Sequence, residues 1–238
     1  MYEANPFTLA LSSGFFGFFA HLGFIKALEE KNLYAKAYTG SSSGAIVAAA
    51  LASGWRTKDL EELFLSVKFR DFFDPRPGLG FVRGRRLEVL LSKYMKPDFA
   101  QLEKPLRISV FDILKGRTVS VTEGGLPRIV RASCAIPMVF HPVRVGTSYF
   151  WDGGILDKMA VEGVPSDEPL LSHFLTSSVY ERPSLSLHPG PLRHRVQLRS
   201  IPRCGPHKLH LGKEIIAAAH SQARKALEAP NNSLHRHL

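Results

Sequence analysis

From Pro6 to Ile25 the chain reads PFTLALSSGFFGFFAHLGFI, without a single Asp, Glu, Lys or Arg. A run this apolar belongs in a bilayer, in a cleaved leader or inside a folded core. A bilayer span takes about 20 apolar residues. Here Ser12, Ser13, Gly14, Gly17, His21 and Gly23 interrupt the run, and no basic residue precedes it to set an orientation. A secretory signal needs a basic leader, yet Glu3 is the only charge before Lys26. No signal peptide or transmembrane span is therefore expected, and the chain reads as intracellular. FTLAL then forms a short buried strand and SSGFFG a turn. FAHLGFIKALEEKN forms a helix that sets an apolar face against Lys26, Glu29 and Glu30 and ends near Asn32.

The next residues repeat that plan. AKAYTG reads as a strand, and SSGAIVAAALASG as an alanine-rich helix closed by Gly54. Two strand–turn–helix units in succession imply an α/β fold with parallel neighbouring strands. At 238 residues, 45% of them hydrophobic, the chain can bury one sizeable core. Two cysteines, Cys134 and Cys204, are too few for a disulfide framework.

Between the second strand and its helix lies GSSSG, a G-x-S-x-G pattern with Ser42 at its centre. A nucleophile on a sharp strand-to-helix turn holds a strained backbone, so the residues two before and two after it must be small. Gly40 and Gly44 meet that need around Ser42, but not around Ser41 or Ser43. The helix N-terminus beneath offers free N–H groups and a positive dipole end to an oxyanion. Taken alone, the pattern also suits a plain Gly/Ser turn. Only one strand comes before the strand that carries Ser42, too few for the usual α/β-hydrolase order. Far along the chain, YFWDGG ends an aromatic strand in Asp152, Gly153 and Gly154. A carboxylate there, uncrowded by its neighbours, can take a proton from Ser42 directly. By itself Asp-Gly-Gly is also an ordinary turn signal.

Together these residues carry a resemblance. AYTGSSSGAIVAAALASG, RASCAIPMVFHPVRVGTSYFWDGG and LALSSGFFGFFAHLGFIKALEE resemble, in order, the nucleophile elbow, the aspartate block and the oxyanion loop of patatin-like phospholipases. The resemblance runs from about Phe7 to Val161. It implies a three-layer α/β fold, a central mostly parallel sheet flanked by helices, in a single catalytic domain over residues 1–229 with a frayed tail at 230–238. It implies a lipid acyl hydrolase with a Ser42–Asp152 dyad, no catalytic histidine and no cofactor. Gly14, Phe15 and Ser43 would supply oxyanion N–H groups, and Gly40, Gly44, Gly153 and Gly154 would support the two motifs. One departure stands out. Where the family shows G-G-G-x-R/K-G, this chain has Ser13-Gly14-Phe15-Phe16-Gly17-Phe18. Bulky residues there matter if Ser13 or Phe15 must take positive φ.

The remaining features leave alternatives open. Phe15, Phe16, Phe18 and Phe19 either line an acyl channel or pack as core. His21 is expected to be buried and bonded to the loop backbone, and HKLH at 207–210 lacks the carboxylate or Cys that would complete a metal site. From Val67 to Met95, Phe and Arg interleave before an amphipathic helix that begins at Arg85. Within a net charge of +10, this stretch suits a lid or a reversible contact with an anionic membrane, or an ordinary surface loop. It comes with no nucleic-acid motif. PLRISVFDI and RTVSVT form a hairpin, and EPLLSHFLTSS and RHRVQLRSIP add strands. VYERPSLSLHPGP is a linker, and GKEIIAAAHSQARKALE a closing helix. The expected function is a phospholipase, lysophospholipase or esterase acting through an acyl-serine. The alternatives are an acyltransferase and a catalytically weakened lipid-binding protein that keeps the fold.

Overall fold

The structure is a computed structural model that describes residues 7–175, 193–198 and 201–228. The linker expected at VYERPSLSLHPGP and the tail expected at 230–238 lie outside the described residues. Strand β1 (Thr8–Leu11), helix α1 (Phe18–Glu30), β2 (Ala37–Ser41) and α2 (Ser43–Ala52) reproduce the two predicted units. Helices α3 (Thr57–Ser66) and α4 (Phe69–Phe72), strand β3 (Gly80–Val82) and helix α5 (Arg85–Ser92) follow. Strands β4 (Leu106–Asp112) and β5 (Arg117–Val121) form the expected hairpin. Helix α6 (Leu126–Ser133) leads to β6 (Met138–Phe140), β7 (Val143–Val145) and β8 (Ser148–Asp152). The described chain closes with β9 (Leu170–Leu175), β10 (Arg193–Leu198) and α7 (Gly212–Glu228).

Eight strands make one sheet in the order β10-β9-β1-β2-β4-β8-β7, with β5 also on β4. The strands from β10 to β4 are parallel along that path, and β5, β8 and β7 join antiparallel. The fold is thus α/β, a mostly parallel sheet with flanking helices. Strand β1 is buried along its whole length, as expected of an apolar strand covered on both faces. Helix α1 is buried on every side from Phe18 to Ile25, which explains why PFTLALSSGFFGFFAHLGFI carries no charge. It packs on α7 so closely that a Cβ on Gly23 would fall 2.4 Å from the Ile216 carbonyl oxygen. Among the described residues, no helix is long and apolar enough to cross a membrane.

Register decides where chemistry can sit. Leu11 pairs with Gly40 and with His173, and Ser41 with Ser109, so β1, β2, β9 and β4 reach one edge of the sheet in step. In parallel sheets, sites form beyond the carboxyl ends of the strands. Antiparallel β8 brings its own C-terminus to the same edge, where Asp152 pairs with Val110.

Candidate active site

Ser42 sits between β2 and α2 at φ 53° and ψ −121°. A non-glycine residue there costs about 1–3 kcal/mol, which the surroundings must offset. Its N–H donates to Ser133 Oγ at 2.8 Å, and Ser133 Oγ donates to the Ser109 carbonyl at 2.7 Å. The Cys134 thiol donates to the Ser42 carbonyl at 3.3 Å. The flanking glycines are required by space. A Cβ on Gly44 would lie 2.0 Å from the Leu11 carbonyl oxygen, and one on Gly40 would lie 2.7 Å from Ala45 backbone atoms.

Asp152 ends β8, and the Gly153–Gly154 backbone folds over the sheet edge. A Cβ on Gly153 would meet the Ser109 carbonyl oxygen at 2.1 Å, and one on Gly154 would meet Ser13 Oγ at 2.6 Å. Asp152 Oδ1 accepts from Gly154 N–H at 2.7 Å. Burial pushes its carboxyl up to about 6, against the opposing pull of hydrogen bonding from the Ser42 hydroxyl and the Gly154 N–H. Oδ2 is buried and receives no donor in full hydrogen-bonding geometry. The Ser42 hydroxyl therefore approaches the carboxylate without completing a bond to it, a looseness common in unliganded sites.

The Ser12–Gly17 loop is clamped from several sides. Ser12 N–H donates to the His173 carbonyl at 3.2 Å, Ser12 Oγ accepts from Leu175 N–H at 2.9 Å, and Ser13 N–H donates to the Lys158 carbonyl at 2.8 Å. The positive φ falls at Phe16 (54°), and neither Ser13 nor Phe15 takes one, so the departure from the family pattern carries no such strain at those two positions. A Cβ on Gly17, at the position of the family pattern's basic residue, would lie 2.4 Å from Leu175 Cδ1, 3.0 Å from Ser43 Oγ and 3.1 Å from the Gly14 carbonyl oxygen. The N–H groups of Gly14 and Phe15, in the loop, and of Ser43, at the head of α2, donate no hydrogen bond among the described residues.

His21 is buried and bonded to the loop, as the sequence predicts. Its Nε2 lies 2.9 Å from the Ser12 carbonyl oxygen, which can only accept, so Nε2 carries the hydrogen. Nδ1 is then the acceptor for His173 Nδ1–H at 2.8 Å. Burial lowers His21 to about 4, and burial together with His21 lowers His173 well below its ordinary value. Ser133 stands out in the sequence only as the start of the S-x-A-I-P-x-x-F run, with no role, and His173 not at all. They act across separations of 91 and 152 residues, which no local pattern reports.

A cavity of about 130 Å³, open at its mouth, extends from Ser42. Apolar side chains dominate its walls, among them Phe15, Phe16, Phe18, Ile46, Phe72 and Leu90, while Phe19 is core. Ile46 and Ala50 line it one turn apart on α2, so the cavity follows the helix for roughly 10 Å from Ser43, at about 1.5 Å per residue. Among the described residues, no group of three His, Cys, Asp or Glu is arranged to hold a metal ion.

Fold and site define an α/β protein with a serine elbow, a buried carboxylate beside it and an apolar cavity leading away. Known proteins are similar to this chain in sequence and in fold. The patatin-like phospholipase family matches residues 9–164, and the chain belongs to it. An uncharacterized NTE family protein of Mycobacterium bovis is 33% identical over 167 residues, covering 67% of this chain and 46% of that protein. The uncharacterized YqhO of Bacillus subtilis is 28% identical over 174 residues, covering 58% and 60%. The chain thus spans about half the length of these curated relatives. Two solved structures share the fold at low identity. VipD of Legionella pneumophila has a TM-score of 0.59 at 15% identity, covering 94% of this chain and 67% of that one. The type III effector ExoU has a TM-score of 0.55 at 18% identity, covering 94% and 53%.

Proposed function

We propose that the protein is a serine-dependent lipid acyl hydrolase. The observation that carries this reading is Ser42, strained and backbone-anchored beside a buried carboxylate with a raised pKa, at the head of an apolar cavity. The Ser42 hydroxyl attacks the ester carbonyl as Asp152 accepts its proton, and Asp152 then protonates the departing alcohol. Water attacks the acyl-serine in the second half, with Asp152 again as base. The unpartnered N–H groups of Gly14, Phe15 and Ser43, with the α2 N-terminus, stabilise the oxyanion in both halves. The acyl chain lies along Ile46 and Ala50. Membership of the patatin-like phospholipase family supports the reaction class. Phe15 and Phe16 stand in the cavity wall and the carboxylate lies beside the serine, which favours an enzyme over a binding protein that only keeps the fold.

The test is hydrolysis of p-nitrophenyl esters of increasing chain length. Turnover is expected to favour medium or long chains and to fall about 10³-fold or more in Ser42→Ala and Asp152→Ala. Equal rates in wild type and Ser42→Ala would sink the reading.

A further inference from the structure

The sequence did not reveal a small parallel ribbon of β3 and β6, in which Gly80 pairs with Met138 and Val82 with Phe140. Phe140 lines the Ser42 cavity, but two residues earlier Met138 stands 75% exposed, at φ 66°. On the other strand Phe81 is 71% exposed, and Leu79 just before it 73%. Both project from a chain reversal closed by Arg76 N–H to the Phe81 carbonyl at 2.8 Å and by a bridge between Pro75 and Val82. Large apolar side chains grouped in solvent beside a cavity mouth mark a surface that meets something apolar.

The surrounding charge says what that is. Lys68, Arg70, Arg76, Arg83, Arg85 and Arg86 belong to the same segment, and among the described residues none of them makes an ion pair. The segment's two acids are engaged by backbone instead. Asp71 accepts from Lys68 N–H at 2.8 Å, and Asp74 from the N–H groups of Gly84, Arg85 and Arg86 at 2.7, 2.8 and 3.1 Å. Ion pairs among the described residues, such as Lys26–Glu61 and Arg131–Glu88, involve none of this segment's cations. Exposed apolar tips on a segment whose cations make no ion pair match an anionic bilayer, whose phosphates meet arginine while its acyl boundary takes up the side chains. A second copy of the chain would bring like charges face to face.

We propose that the β3–β6 ribbon is the surface that docks the protein on an anionic bilayer, with Leu79, Phe81 and Met138 inserted and the arginines on lipid phosphates. This deepens the hydrolase reading and rests on it for its purpose, since Phe140 of the same ribbon lines the Ser42 cavity. None of the three inserted residues lines the cavity.

The test separates docking from chemistry. The Ser42→Ala chain, its turnover reduced about 10³-fold or more, is floated with vesicles of phosphatidylcholine alone or mixed with phosphatidylglycerol. Capture is expected on the mixed vesicles and to weaken with salt. Adding Phe81→Asp with Met138→Asp, or Arg76→Glu with Arg85→Glu, is expected to reduce capture about tenfold or more. In the otherwise wild-type chain, Phe81→Asp with Met138→Asp should leave hydrolysis of a soluble ester intact, which verifies the fold, while hydrolysis of vesicle lipid falls. Capture unchanged by both pairs of substitutions would overturn the proposal. So would a wild-type dimer that the Asp pair dissociates, with no capture on any vesicle. Capture by Ser42→Ala with no esterase activity in the wild type would leave the docking surface standing and remove the hydrolase reading instead.

Discussion

Asp152 shows how one buried group couples chemistry to stability. Its carboxyl titrates at about 6 in the fold, against an ordinary value of 3.8, because burial disfavours the charge. As a base it must be ionised, so kcat/KM is expected to rise with pH through an apparent pKa near 6, measured on a soluble ester. The same shift works against folding at neutral pH. Between 3.8 and 6 the folded state holds a proton that the unfolded state has released, so this group's contribution to stability is present below 3.8 and lost as pH rises through 6. At pH 8 the deficit is on the order of 3 kcal/mol. Asp152→Asn should therefore lose activity yet melt higher than wild type at pH 8, with little difference near pH 4. An unchanged or lower Tm at pH 8 would show that the carboxylate is not held at a stability cost.

At the scale of elements, α2 places its residues at the i, i+4 spacing that puts Ile46 and Ala50 on one face, and that face is a wall of the cavity. Its usable length can thus be altered at a single position far from the dyad. Ala50→Phe is expected to move the preferred p-nitrophenyl ester toward shorter chains while leaving the rate on acetate within about twofold, because Ala50 lies two turns beyond Ser43. A uniform loss at every chain length would mean that the substrate takes another route. Helix α2 and strand β8 were legible because G-x-S-x-G and Asp-Gly-Gly are local statements about backbone room, and the sub-3 Å contacts that a Cβ would make at Gly44 and Gly153 show the reason. Strands β3 and β6 were not. Three residues each is too short for any period, and their pairing is set by contacts between Pro75, Val82 and His141 across the fold.

Across the whole molecule, acid is expected to loosen the loop beside the site. His21 is depressed to about 4 and His173 well below its ordinary value of 6.5, both mainly by burial. The unfolded chain gains those protons first, so the histidines stabilise above about 6.5, and that contribution is lost as pH falls toward 4. Asp152 opposes them over part of the same window, but two histidines outweigh one carboxylate. Tm should therefore drop between pH 7 and pH 5, and drop more steeply in Asp152→Asn, where the opposing proton is absent. A flat profile would show that the pair is solvated. The sequence alone determined the α/β class, the order of the first two units, the serine at the strand-to-helix turn, the aspartate at a strand end with its glycines, and the strand–turn–helix division of PFTLALSSGFFGFFAHLGFI, because each rests on periodicity, charge or turn chemistry within a few residues. Only the tertiary structure decided that Ser133 anchors Ser42, that His173 joins His21, that Phe16 rather than Phe15 bears the positive φ, and which apolar side chains stay in solvent. Those outcomes depend on which distant backbones meet, and sheet register and packing density set that, not any local pattern.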